Sequence, residues 1–404
     1  MATIIKVNGQ TITIANKSSE AFDIVKASAI LDTSLESIQQ NLNALKVVSN
    51  VKAMEAFGYQ ATEGFADKLK SGIKTVFQKI KEFFKKLIEF IKNIGKWIAR
   101  LFSKFKFSKK TEKVLSEAVN ESKSPEQIGE IVIDKVVEES ENKDLSVLNK
   151  VNTQVEAAPK FTGEPPAPLT FSNGFKPDNN NTEPSEDLTE DQANYNAIYS
   201  LYSAKVGAGG NVGYSDEFAE MAYYVALIKW TDPFVKDYKD ILGEFKDSIS
   251  SYDHDLEKEK DSDNQTVARQ EKVFKRIESL TNFINNAIKE TREKISDKYS
   301  NEKKDILFYL SKNGYSEKIK DIESKIEYLD SIVKDLEKTT DECSFGSSTT
   351  KIFGSFFRLI TNTSQIYKSA LDAIIKVTTF VNKTNAILSA LDNAPEKDST
   401  KLLK

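Results

Sequence analysis

Cysteine and histidine are nearly absent from this chain. Cys343 and His254 stand alone among 404 residues. Within the chain, that excludes a disulfide framework and a zinc finger, and His254 among acids reads as a surface residue while Cys343 reads as a free thiol near a loop. Long apolar runs are also missing. None reaches the roughly 18 residues of a membrane span, so no transmembrane helix is expected. The opening Met1-Ala2-Thr3-Ile4-Ile5-Lys6 has no basic stretch followed by an apolar one, so no secretory signal is expected either. Proline is scarce and unevenly spread. Six of nine (Pro159, Pro165, Pro166, Pro168, Pro177, Pro184) fall between 156 and 191, among Asn179-Asn180-Asn181 and several acids. A core cannot be built from such a segment, which reads as an extended or disordered linker.

Motifs of known chemistry are missing too. In Gly207-Ala208-Gly209-Gly210-Asn211-Val212-Gly213 the third glycine comes one residue late for a dinucleotide-binding turn, and the segment reads as a helix–helix loop. A calcium loop starting at Asp261 would need Gly at its sixth position and Glu at its twelfth, where Thr266 and Lys272 stand. The stretch from Phe345 to Lys351 is not a phosphate-binding loop, and its Ser/Thr residues read as helix caps. Neither G-x-S-x-G nor H-E-x-x-H occurs. No reaction, cofactor or metal is therefore expected.

What the chain does have is helical patterning and a segregated charge. Residues 3–14, with Asn8-Gly9 between two β-branched runs, read as a hairpin with a type I′ turn. From Ser18 to Asn50, apolar residues recur at three or four, with one longer gap, and read as helical. Residues 111–155 hold short amphipathic helices, with Ser124-Pro125 read as an N-cap and first helical residue. Residues 192–392 read as helices over about 192–205, 215–230, 233–260, 266–298, 302–312, 316–340 and 350–391, with Asn313-Gly314 as a helix stop. The expected fold is mainly α: long-helix bundles with a small N-terminal β-hairpin and a Pro-rich linker. Its expected segments are 1–63 (hairpin and helices), 64–110 (basic helix), 111–155 (short helices), 156–191 (linker) and 192–404 (helical bundle).

The net charge of −4 conceals the segment 64–110, where 14 Lys/Arg meet only Asp67, Glu82 and Glu89. There Phe65, Leu69, Ile73, Val76, Ile80, Phe83, Leu87, Ile91, Ile94, Ile98, Leu101 and Phe105 recur at a mean of about 3.64 residues, the period of a straight α-helix. Gly72 and Gly95 are its expected bends or breaks. Lys70, Lys74, Lys81, Lys85, Lys92, Lys96, Arg100 and Lys106 are the candidate polyanion-binding residues. Phe77, Phe84, Ile91, Trp97 and Phe102 are the candidates to face a membrane or partner. Lysine opposite aromatic and aliphatic residues is the composition of an interfacial membrane helix. Equally, the lysines could neutralise DNA phosphates, or the apolar stripe could pack on the protein's own helices.

Just upstream, Ala53-Met54-Glu55 precedes Ala56, and Ala61-Thr62-Glu63 precedes Gly64. With the basic helix that follows, this region of about 50 residues resembles internal head proteins of large tailed bacteriophages. The resemblance implies processing by a prohead protease, with Glu55 and Ala56 flanking the cut. It also implies a location in the phage head interior, in the host cytoplasm before assembly, with other virion proteins as partners. The leading expectation is a non-enzymatic virion structural protein contacting packaged DNA or the host membrane through residues 64–110, with a homo-oligomer as one arrangement. The alternatives are a membrane-active pore-former or toxin-like protein and a cytoplasmic helical scaffold.

Overall fold

A computed structural model describes residues 3–7, 10–14, 19–48, 65–104, 108–150, 198, 201–202, 205–206, 210–211, 215–255, 261–310, 312–342 and 347–396. For 3–7, 10–14, 205–206 and 210–211 it gives the backbone course alone. The fold is mainly α. Its long helices are α1 (Ser19–Val48), α2 (Phe65–Lys104), α3 (Lys109–Glu121), α4 (Gln127–Ser140), α5 (Ser215–Val235), α6 (Asp237–Asp255), α7 (Asp261–Tyr309), α8 (Lys312–Glu342) and α9 (Ser347–Asp392). A 3₁₀ turn covers Leu145–Lys150. The Pro-rich segment 156–191 lies outside the described residues.

The chain divides into two compact units interleaved along the sequence. One comprises Met1–Asp23, Arg100–Ala219 and Lys376–Lys404; the other comprises Ile24–Ala99 and Glu220–Ile375. The division falls inside α1, α2, α5 and α9.

In the larger unit, α1 contributes Leu31, Leu35, Ile38, Leu42 and Leu45 to the core. These residues carry the three-or-four spacing of the sequence, which keeps them on one helix face. Helix α8 buries Ile319, Ile322, Ile326, Leu329, Val333 and Leu336 in the same way. The first part of α9 supplies Phe353, Phe356 and Phe357. Phe77 of α2 meets Phe357 edge-on at 4.7 Å and Phe353 at 6.0 Å, and Phe245 of α6 meets Phe353 at 5.2 Å. Such pairs each contribute about 0.5–1.5 kcal/mol beyond area burial.

In the smaller unit, α3 starts at a side-chain cap. The Thr111 backbone N–H donates to Ser108 Oγ at 3.0 Å. Asn385 of α9 accepts from the Ser108 backbone N–H at 3.1 Å and from the Thr111 hydroxyl at 2.8 Å. Lys135 of α4 bridges back to Glu121 and Glu117 of α3, at 2.9 and 3.3 Å.

Four local readings of the sequence need correction. Helix α2 runs unbroken through Gly72 and Gly95. Gly72 instead allows a close approach, because a Cβ there would lie 3.1 Å from Leu45 Cδ1 of α1. The expected break between 298 and 302 is absent, since α7 continues from Asp261 to Tyr309. Asn313-Gly314 lies in the first turn of α8 rather than at a helix end. Helix α4 begins at Gln127, after a tight turn in which the Gln127 N–H reaches Ser124 O at 3.2 Å and the Ile128 N–H reaches Pro125 O at 3.2 Å.

Candidate polyanion-binding surface

The surface is the lysine face of α2. Its geometry follows from the helical period. Apolar residues at three-or-four spacing form one stripe, and the residues between them project to the other side. Leu69, Ile73, Val76, Phe77, Ile80, Phe83, Phe84, Leu87, Phe90, Ile91, Ile94, Trp97 and Ile98 are all buried. Phe77, Phe84, Ile91 and Trp97 therefore face the protein's own core and no external partner. Their exposures are 0, 1, 0 and 9%. The physical reason is that the stripe finds apolar partners on α1, α8 and α9 at no cost of chain association.

The lysines divide into two groups along the helix. Toward the N-terminus, acids of α8 meet them. Lys70 and Lys74 lie 3.8 and 3.3 Å from Asp341, and Lys81 lies 2.9 Å from Glu337. Lys79 donates to Ser37 Oγ of α1 at 2.7 Å. Helix α8 runs antiparallel to α2 here, so Gly95 lies beside Ile319. Farther along, Lys85, Lys86, Lys92 and Lys96 are exposed. Among the described residues they form no ion pair. At 100° per residue, Lys85, Lys92 and Lys96 fall within about 40° of arc and span roughly 16 Å of axis. Glu82 and Glu89 share that exposed side. The side chains of Arg100 and Phe102, and the whole of Lys106, Glu55 and Ala56, lie outside the described residues.

Sequence reasoning missed the neutralisation from α8, because Glu337 and Asp341 stand more than 250 residues from their lysines. The only sequence signal was the acidic excess of the rest of the chain. It also missed two partly buried charge clusters, each built around a buried lysine, Lys368 or Lys318. On α9, the Lys368 ammonium is buried and donates at 2.6 Å to both carboxylate oxygens of Asp32 in α1, and it lies 2.8 Å from Asp372. The Ser28 hydroxyl donates to Asp372 at 2.9 Å. Burial pushes the Asp372 carboxyl up, against the opposing pull of Lys368 and Ser28.

In the second cluster, Lys325 of α8 reaches Asp232 of α5 at 2.5 Å and Asp321 at 2.7 Å, while Lys318 reaches Asp321 at 3.3 Å. The Tyr367 hydroxyl of α9 donates to Asp232 at 3.3 Å. Burial raises the Asp321 carboxyl, but the Lys325 hydrogen bond and the Lys325 and Lys318 charges outweigh it and hold it below its usual range. Burial, with Lys325 beside it, pulls the Lys318 ammonium down. Both clusters pair their charges internally and hold helices together.

Among the described residues, no group of three His, Cys, Asp or Glu side chains could hold a metal ion. No described helix is long and apolar enough to cross a membrane. The lysine face can attract anions electrostatically and donate hydrogen bonds to phosphate or carboxylate oxygens. No family model, curated protein or solved structure matches this chain.

Proposed function

We propose that this chain is a non-enzymatic bacteriophage virion structural protein, internal to the head and present in the host cytoplasm before assembly, whose α2 lysine face contacts a polyanion. One observation carries the polyanion contact: Lys85, Lys86, Lys92 and Lys96 are exposed on a helix whose other face is anchored in the core. Anchoring makes the charge array rigid, so little side-chain order beyond the lysines themselves is lost on binding. The virion assignment rests on the Glu55–Ala56 processing pattern ahead of the basic helix. Other virion proteins are the proposed partners of the helical body, and a homo-oligomer is one form of that contact. A pore-forming role is disfavoured, because Phe77, Phe84, Ile91 and Trp97 would have to leave the core to reach lipid.

The finer architecture belongs to the same proposal. Residues 3–14 form a hairpin, a reading supported by a backbone register that sets Thr3 opposite Ile14 and Val7 opposite Gln10. Residues 156–191 separate the N-terminal segments from the helical body at 192–404. Mass spectrometry of purified particles tests the main claim. The protein is expected among the virion components, and its absence overturns the virion reading. N-terminal sequencing of the particle-bound form is expected to start at Ala56; an intact residue 1 overturns the processing site.

A further inference from the structure

Resting on the polyanion reading, we infer that the partner of α2 is the phosphate backbone of nucleic acid, and that only the C-terminal half of the lysine face holds it. Two features separate nucleic acid from an anionic membrane. An interfacial membrane helix buries an apolar face at the headgroup boundary. Here the exposed residues of α2 from 71 to 96 are Ser71, Lys74, Thr75, Gln78, Glu82, Lys85, Lys86, Glu89, Lys92, Asn93 and Lys96, with no apolar side chain among them. Every aromatic side chain described on this helix is buried. The second feature is shape. Lys85, Lys92 and Lys96 form a straight row of roughly 16 Å on a rigid helix. Duplex DNA presents about one charge per 1.7 Å of axis, so a row of that length faces a dense line of phosphates. Gln78 and Asn93, exposed on the same side, add neutral donors of the kind that bind phosphate oxygens.

The restriction to one half follows from the ion pairs. Lys70, Lys74 and Lys81 are engaged by Asp341 and Glu337. For these, a phosphate would have to displace a carboxylate. Among the described residues no acid pairs with Lys85, Lys86, Lys92 or Lys96, so there a phosphate displaces water and counterions. Binding of this kind is sequence-independent, because nothing on the face is shaped to read base edges.

The test compares the full-length chain with two variants, K85Q/K86Q/K92Q/K96Q and K70Q/K74Q/K81Q. A short labelled DNA duplex and vesicles containing phosphatidylserine serve as probes. The four-lysine variant is expected to keep the helical circular dichroism and unfolding midpoint of wild type, and the three-lysine variant to keep the helical signal with only a small drop in midpoint from its lost ion pairs. Four phosphate contacts give a log–log salt slope of about −3.6, and offsetting by Glu82 and Glu89 brings it toward about −1.8. Affinity for the duplex should therefore fall roughly 10- to 150-fold between about 50 and 200 mM salt. The four-lysine variant should lose duplex binding at least tenfold, and the three-lysine variant should stay within about threefold of wild type.

Equal losses in both variants would overturn the assignment to the C-terminal half. Vesicle binding without duplex binding, lost in the four-lysine variant, would overturn nucleic acid as the partner and leave the polyanion reading standing. Binding to neither probe would overturn both.

Discussion

Helices α2 and α9 have similar lengths and meet water in opposite ways. Helix α2 keeps one side in solvent throughout its described length, and its charges sit there. Helix α9 is buried on most sides from Ile352 to Leu391, and its polar residues must be satisfied inside the protein. It does so in two ways. The hydroxyls of Thr361, Thr363, Ser364 and Thr384 donate back to the carbonyls of Phe357, Leu359, Ile360 and Phe380, one turn earlier. Lys368 is matched by Asp32 and Asp372. A lysine on α2 is solvated at little cost, whereas Lys368 on α9 is tolerated only because two carboxylates meet it. The comparison teaches that residue type says little about a lysine's role until the surroundings of its helix are known.

The difference can be broken most severely in the core that the two helices share. Phe77→Ala removes the ring packed between Phe353 and Phe357 and is expected to cost about 3–5 kcal/mol, measured as a lowered urea midpoint at unchanged slope. Next comes Lys368→Ala, which leaves Asp32 and Asp372 facing one another without a cation. Because both carboxylates keep some solvent access, the expected loss is about 3 kcal/mol, the low end for a broken buried pair. A loss as small as that of Lys92→Ala would erase the contrast between the two helices.

Asp321 tests the second charge cluster through pH. Its folded-state pKa is held below the unfolded value, so its contribution to stability is present above the unfolded pKa and fades as pH falls through the folded one. Urea titrations across the acid range should therefore show a shallower pH dependence for Asp321→Asn than for wild type. An unchanged slope would mean that Lys325 and Lys318 do not stabilise its charge.

Smaller effects sharpen the description of α2. Gly95→Ala has room, with its nearest side-chain atom 3.9 Å away, and should gain up to about 1 kcal/mol of helix propensity. Gly72→Ala presses on Leu45 and should gain less or lose stability. Equal gains at the two sites would show that Leu45 yields freely. The smallest effect expected is that of Lys81→Gln, which removes a half-exposed ion pair with Glu337 and should cost roughly 0.2–1 kcal/mol. A salt titration of its unfolding midpoint checks that figure, since the loss should shrink at high ionic strength.

How much was legible in advance varies along the chain. The buried face of α2 could be read almost residue by residue, because a one-sided helix writes its burial into the spacing of its apolar residues. The cores of α1 and α8 were legible for the same reason. Helix α9 was recognisable as a long helix, but its surroundings were not, since a helix buried on most sides has no polar stripe to mark an orientation. The single helix α7 was read as two spans, about 266–298 and 302–312. Propensity between them is a weak signal, and the chain continued helical from one to the other.

Taken alone, the sequence determined that the fold is mainly α, that α2 has one apolar and one cationic side, and that one cysteine and one histidine cannot build a disulfide framework or a zinc finger within the chain. These follow from composition and from periodicities of three or four residues, which are local. Tertiary structure decided which side of α2 is available and which of its lysines already have partners. Asp341 and Glu337 reach Lys74 and Lys81 across more than 250 residues, and Asp32 reaches Lys368 across 336. Such pairings depend on which helices pack together, and local spacing carries no record of that.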